Sequence, residues 1–293
     1  MRTEQKLVFN TNEQIRYSPG LDAGRTYFDE YQKQGFILRS EIQDSSHAQQ
    51  ACSEFVENLD LDLVPHLTLF KDRIRLAKFD RIPSRHCQDA VDISNVSLHF
   101  DMGLPLLGLE NSANIYVFTC LYFPYDQTPS PTKTRLFDLK GLFAERFDSK
   151  ELEEAIYNYV RRYGDGWESF NSGRLACLGR LIEAAVSGNS LLHMKEHRIA
   201  EWFNRDEFGN LVRGMEKEEE FFSSNGISLS ERETQVNLKP GDLLIIDNIR
   251  VAHGRIGKRS AEEIYQLMYG VENVARYEVE EIRKSVVDIL LAQ

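Results

Sequence analysis

The stretch Lys239-Pro-Gly-Asp-Leu-Leu-Ile-Ile-Asp-Asn-Ile-Arg-Val-Ala-His-Gly-Arg255 opens with a turn signal at Pro240-Gly241-Asp242. Leu243, Leu244, Ile245 and Ile246 follow, an apolar block of the length of a buried strand. Asp247, Asn248, Arg250, His253 and Arg255 then crowd into nine positions. A buried strand that delivers a histidine at its end is a rigid mount for a metal ligand. A lone histidine is more often structural, so this reading depends on partners elsewhere in the chain.

Those partners lie upstream. Asn95-Val-Ser-Leu-His-Phe-Asp101 reads as a strand with His99 and Asp101 at i and i+2. Strand side chains alternate, so the two point the same way. With His253 they make a set of two histidines and one carboxylate. Such a set caps one face of an Fe(II) octahedron and leaves three positions for O2 and a chelating cosubstrate. An isolated His-x-Asp arises by chance in many chains; its combination with the distal His253-Gly-Arg255 is specific.

The rest of the sequence sets the frame. A chain of 293 residues, 42% hydrophobic and 28% charged, can bury a sizeable core, and one β-sandwich or barrel with appendages accounts for that length. The net charge of −11 disfavours nucleic acid and anionic membranes as partners. Cys52, Cys87, Cys120 and Cys177 are scattered with no C-x-x-C, which points away from zinc and from a disulfide framework. No apolar signal core or transmembrane run is present, so a cytoplasmic protein is expected.

In chain order, helices are expected over 26–34 and 45–59, the second capped by Ser46. A short strand at Phe36-Ile-Leu38 separates them. Residues 60–94 carry a basic run, Lys71-Asp-Arg-Ile-Arg75, which reads as a solvated face before it reads as an anion site. Strands are expected over 114–123, 132–138 and 264–271. In the last, Tyr265, Leu267, Tyr269 and Val271 would share a face. Asp148 and Glu151 form a capping box at the head of a helix over 148–163. A further helix is expected over 175–186, ended by Gly188. His193 and His197 stand at i and i+4, but Met194 replaces the glutamate of the zinc-protease pattern, which makes the pair structural or superficial. The acidic run 215–222 ends in Phe221-Phe222, read as an exposed turn or helix end. An amphipathic helix over 274–291 buries Val279, Ile282, Val286 and Ile289. The expected class is α+β, mainly β: two sheets closing around a metal in a jelly roll with flanking helices.

His99-Phe-Asp101 with Asp247-Asn-Ile-Arg-Val-Ala-His253-Gly-Arg255 resembles the iron- and 2-oxoglutarate-dependent oxygenases of the taurine dioxygenase and clavaminate synthase type. The likeness in layout covers residues 35–40 and 95–271, and only the two metal segments are specific. It implies a double-stranded β-helix, Fe(II), O2 and 2-oxoglutarate, with His99, Asp101 and His253 as metal ligands. A single domain over 1–293 is then expected. It comprises N-terminal helices and a first strand (1–60), a core (95–271) with a helical insert near 148–200, and a C-terminal helix (272–293). Thr134 matches a family threonine that contacts 2-oxoglutarate. One departure stands out. The family's arginine, 10 to 16 residues after the distal histidine, is absent from the window Glu263–Tyr269. Arg255 has the better claim to replace it, two residues past His253, and Arg259 is farther away.

The expected function is hydroxylation, desaturation or cyclisation of a small molecule such as an amino acid or natural-product intermediate. The retained Asp101 argues against a halogenase. The alternatives are an iron oxygenase of the same fold that does not use 2-oxoglutarate, and a non-catalytic jelly-roll binding protein. Arg250 is either a pocket residue or a structural ion pair with Asp247 or another carboxylate.

Overall fold

The computed structural model describes residues 23–59, 64–70, 72–82, 96–101, 115–127, 132–145, 147–155, 175–177, 222–223, 226–257 and 264–293. Helix α1 (Ala23–Gln34) leads through Gly35 into β1 (Phe36–Arg39). Gly35 takes φ +74°, and a Cβ there would lie 2.5 Å from Val251, so the helix can end this abruptly only at glycine. Helix α2 (Ser45–Glu57) is capped by Asp44, whose side chain accepts from the His47 N–H. The cap is therefore two residues earlier than Ser46, because Asp44 is the residue still in extended conformation.

The remaining strands are β2 (Arg75–Ile82), β3 (Val96–Asp101), β4 (Ile115–Tyr122), β5 (Lys133–Asp138), β6 (Leu175–Cys177), β7 (Glu233–Val236), β8 (Leu243–Asp247), β9 (Val251–Ile256) and β10 (Ile264–Val271). They form two five-stranded antiparallel sheets, ordered β1-β8-β4-β10-β2 and β6-β3-β9-β5-β7. This mixture of helices and paired antiparallel sheets is compatible with a jelly roll.

The sheets face each other. On the inner side, Phe36, Leu38, Leu121, Leu244, Ile246 and Ile264 of the first sheet pack with Leu136, Val236 and Val251 of the second. Helices cover the outer side of the first sheet. Tyr31 of α1 and Phe55 of α2 make edge and tilted ring contacts with Phe118 of β4. The Tyr269 hydroxyl of β10 hydrogen-bonds Ser53 and the Gln49 carbonyl of α2. Cys52 and Cys120 are buried free thiols. The last helix, α4 (Arg276–Leu291), buries Val279, Ile282, Val286 and Ile289 as its spacing predicts. The helix beginning at Asp148 is described over 149–155 (α3) and starts with the expected capping box, Glu151 N–H to Asp148 and Asp148 N–H to Glu151. No helix among the described residues is long and apolar enough to cross a membrane.

Two expectations are corrected. Leu175–Cys177 is an edge strand paired with β3, not the start of a helix: Leu-Ala-Cys favours a helix locally, and the open ladder of β3 overrides that preference. Phe222 is fully buried against Phe137 instead of exposed. In β10, Leu267, Tyr269 and Val271 join one core cluster with Tyr265 packed against it, as the alternation predicts; the register against β4 shifts between Tyr269 and Gly270 because β4 carries an extra residue, Val117. A Cβ at Gly270 would fall 2.4 Å from the Ile115 carbonyl, so the close approach at this bulge requires glycine. His193, His197, Lys71, Arg259 and Gly188 lie outside the described residues.

Candidate metal centre

His253 does not sit at the end of the apolar strand. Strand β8 ends at Asp247, residues 248–250 turn, and the chain crosses to the other sheet as β9, with His253 near its middle. Asp247 holds that turn: its Oδ1 accepts the N–H groups of Ile249 and Arg250, and its Oδ2 accepts from the buried Tyr31 hydroxyl at 2.7 Å. Pro240-Gly241-Asp242 starts the β8 strand as predicted. Gly241 has φ +84°, and a Cβ there would lie 2.4 Å from the Tyr125 ring.

Strands β3 and β9 are neighbours, and His99 and His253 are partners in their ladder. Their ring centroids are 4.5 Å apart. Asp101 shares the face of His99 as alternation requires. Its Oδ1 is 3.7 Å from His99 Nε2, and its Oδ2 is 3.3 Å from His253 Nε2. The three residues each offer a ligand atom within 4.8 Å of the others, and they are the group of this kind found among the described residues. His253 and Asp101 are buried.

The protonation states suit a metal. Burial by itself raises the Asp101 carboxyl, but charge and hydrogen-bond interactions with His253 and His99 outweigh it and hold the group well below the usual carboxylate range. Burial is the main influence on His253 and lowers its pKa, with Asp101 opposing and His99 adding to the drop. An ionised carboxylate and a neutral imidazole are the forms that bind a divalent cation. His253 Nδ1 is buried with no hydrogen-bond partner among the described residues, so its ring makes no hydrogen bond directed away from the site. Two imidazoles and one carboxylate converging in this way fit Fe(II).

Three side chains to which sequence reasoning assigned no role at the metal complete the surroundings. Asn248 accepts the Asp101 N–H at 2.9 Å and donates to the Asp101 and Tyr116 carbonyls, both at 2.9 Å. It thereby ties the end of β3 to β4 of the opposite sheet. Thr119 of β4 donates its hydroxyl to Asp101 Oδ2 at 2.6 Å, and Gln266 of β10 donates its amide to the same oxygen at 3.0 Å. For Thr119 and Gln266 the available signal was a polar residue on the inward-facing period of an otherwise apolar strand.

Arg255 is two residues past His253 on the same continuous strand, so it shares that face. Thr134 is its partner in the β5–β9 ladder. Both are half-buried. Arg250 is not part of the site. Its guanidinium forks onto Asp138 at 2.9 and 2.5 Å and donates to the Gln32 and Lys33 carbonyls at the end of α1. The structural reading of Arg250 holds, with Asp138 as its carboxylate. Residues 102–109 lie outside the described residues.

No family model matches the chain, and a search of curated proteins returns no match. The chain resembles solved iron and α-ketoglutarate oxygenases. PvcB from Pseudomonas aeruginosa is 13% identical, with 85% of this chain and 82% of that one covered and a TM-score of 0.43. A taurine dioxygenase from Burkholderia xenovorans is 9% identical, with coverage of 94% and 92% and a TM-score of 0.38. The non-heme iron oxygenase OrfP, in complex with Fe, succinate and (3S)-hydroxy-L-Arg, is 13% identical, with coverage of 88% and 82% and a TM-score of 0.40.

Proposed function

We propose that this protein is a non-haem Fe(II) oxygenase that acts on a small molecule and uses 2-oxoglutarate, built on a double-stranded β-helix. The observation that carries the reading is the convergence of His99, Asp101 and His253 within 4.8 Å on the inner face of the second sheet. When bound there, ferrous iron supplies the activation of O2 and the oxidation of a substrate C–H bond.

The protein's own residues have separate tasks. His99, Asp101 and His253 hold the metal from one side and leave the other side to ligands. Arg255 receives the far carboxylate of 2-oxoglutarate, and Thr134, its ladder partner, adds a hydroxyl. A buried carboxylate without a charged or multiply hydrogen-bonded partner costs several kcal/mol, so a cation is required. The inward residues of β10 are Ile264, Gln266 and Met268, and none is charged. Gln266 is engaged with Asp101, and Tyr265 stacks on Phe79 with ring centroids 5.6 Å apart on the opposite face. Arg135 alternates away from the site and is paired with Glu233. Among the described residues, alternation along β9 places the cation Arg255 on the face of His253.

The uncharged β10 also favours a second reading, an iron oxygenase that needs no 2-oxoglutarate. Anaerobic addition of Fe(II) and then 2-oxoglutarate decides between them. A visible metal-to-keto-acid band that saturates with 2-oxoglutarate is expected. Iron binding without the band supports the second reading, and failure to bind iron removes both.

A further inference from the structure

We infer that Thr119 and Gln266 are positioning residues that fix Asp101 as a one-oxygen ligand. This inference rests on the metal reading of His99, Asp101 and His253 and deepens it.

A carboxylate beside a divalent cation has two oxygens to offer, and it can rotate about its last bond to present both. If both bind, one coordination position that a chelating cosubstrate needs is lost. In this protein the two oxygens are not equivalent. Oδ2 accepts the Thr119 hydroxyl at 2.6 Å and the Gln266 amide at 3.0 Å. Oδ1 accepts from neither of these donors and lies 3.7 Å from His99 Nε2, while Oδ2 also lies 3.3 Å from His253 Nε2. Turning Oδ2 towards a metal would break two hydrogen bonds in a buried site, where each unsatisfied polar group costs about 1 to 3 kcal/mol. Oδ1, which carries neither of these two bonds, is the oxygen the proposal assigns to the metal.

Both donors are neutral. An arginine or lysine in either place would anchor the oxygen equally well but would draw off the negative charge that binds the cation. A hydroxyl and an amide fix the orientation and leave that charge in place. Both donors also come from the first sheet, whereas the three ligands come from the second. Met268 is the ladder partner of Thr119, and Gln266 lies two residues along β10, so the pair reaches Asp101 from adjacent strands. The ligand geometry is thus set across the gap between the sheets. The same β10 position lies in the stretch where the resemblance leads one to seek a cosubstrate arginine.

Mn(II) binding by the full chain, measured from the free-ion electron paramagnetic resonance signal, tests this without turnover. Gln266→Met and Thr119→Val keep side-chain size and remove the donors. Each is expected to weaken Mn(II) about ten- to a hundredfold, with thermal unfolding of the metal-free protein confirming that the variants are folded. Thr119→Ser, which keeps the hydroxyl, is expected to bind within a few-fold of the wild type. Co(II) substitution supplies a second readout, with a change in visible band intensity expected in Gln266→Met as a second carboxylate oxygen enters the coordination sphere. Wild-type binding with equal affinities and spectra in all variants overturns the inference and leaves the metal site standing. Equal weakening by Thr119→Ser and Thr119→Val removes the hydroxyl's part. No Mn(II) or Fe(II) binding by the wild type overturns the metal reading itself.

Discussion

His99 and His253 are ladder partners across β3 and β9, with ring centroids 4.5 Å apart, although 153 positions separate them in the chain. Side chains directly opposite in an antiparallel ladder lie on the same face at close range. The register of one strand pair therefore does most of the work of assembling the site, and Asp101 follows from alternation.

The first prediction is that His253→Ala abolishes iron-dependent oxygen consumption and metal binding while the fold survives. The ring carries a buried Nδ1 with no partner among the described residues, so removing it relieves one cost as it creates another. Circular dichroism of the metal-free variant should match the wild type. Tight metal binding by the folded variant would rule out the ligand role.

Arg255→Ala is expected to weaken 2-oxoglutarate at least tenfold, about 1.4 kcal/mol, without releasing iron. Thr134→Val should weaken it less, since a hydroxyl contributes one neutral hydrogen bond. Titrations that follow the metal-to-keto-acid band measure both, and equal affinities would take Arg255 out of the site.

Asn248→Leu should destabilise the protein by about 2 to 4 kcal/mol, because it strips partners from both the N–H and the carbonyl of Asp101. Urea unfolding would show a lower midpoint. The same variant should bind Mn(II) more weakly even where fully folded, since the backbone that carries Asp101 is no longer tied to β4.

Arg250→Leu is expected to cost about 2 to 4 kcal/mol of stability, from the lost fork onto Asp138 and the two α1 carbonyls left without this donor. Metal affinity per folded molecule should stay unchanged. A selective loss of metal or 2-oxoglutarate binding in a stable variant would restore Arg250 to the pocket.

Several of these features were legible in the sequence because they depend on local periodicity. Strand alternation put His99 and Asp101 on one side, the apolar run Leu243–Ile246 announced a buried strand, and the capping box at Asp148 marked a helix start. The amphipathic spacing of Val279, Ile282, Val286 and Ile289 gave the last helix and its buried face. What tertiary structure decided depends on partners distant in the chain. The three-residue strand β6 exists because β3 offers it an open ladder, and nothing in Leu-Ala-Cys demands it. His253 belongs to a strand of its own because the Asp247 turn redirects the chain to the other sheet. Thr119 and Gln266 acquire their role only when the first sheet closes over Asp101: a hydroxyl and an amide have no reactive signature, and only proximity to a buried carboxylate gives them one.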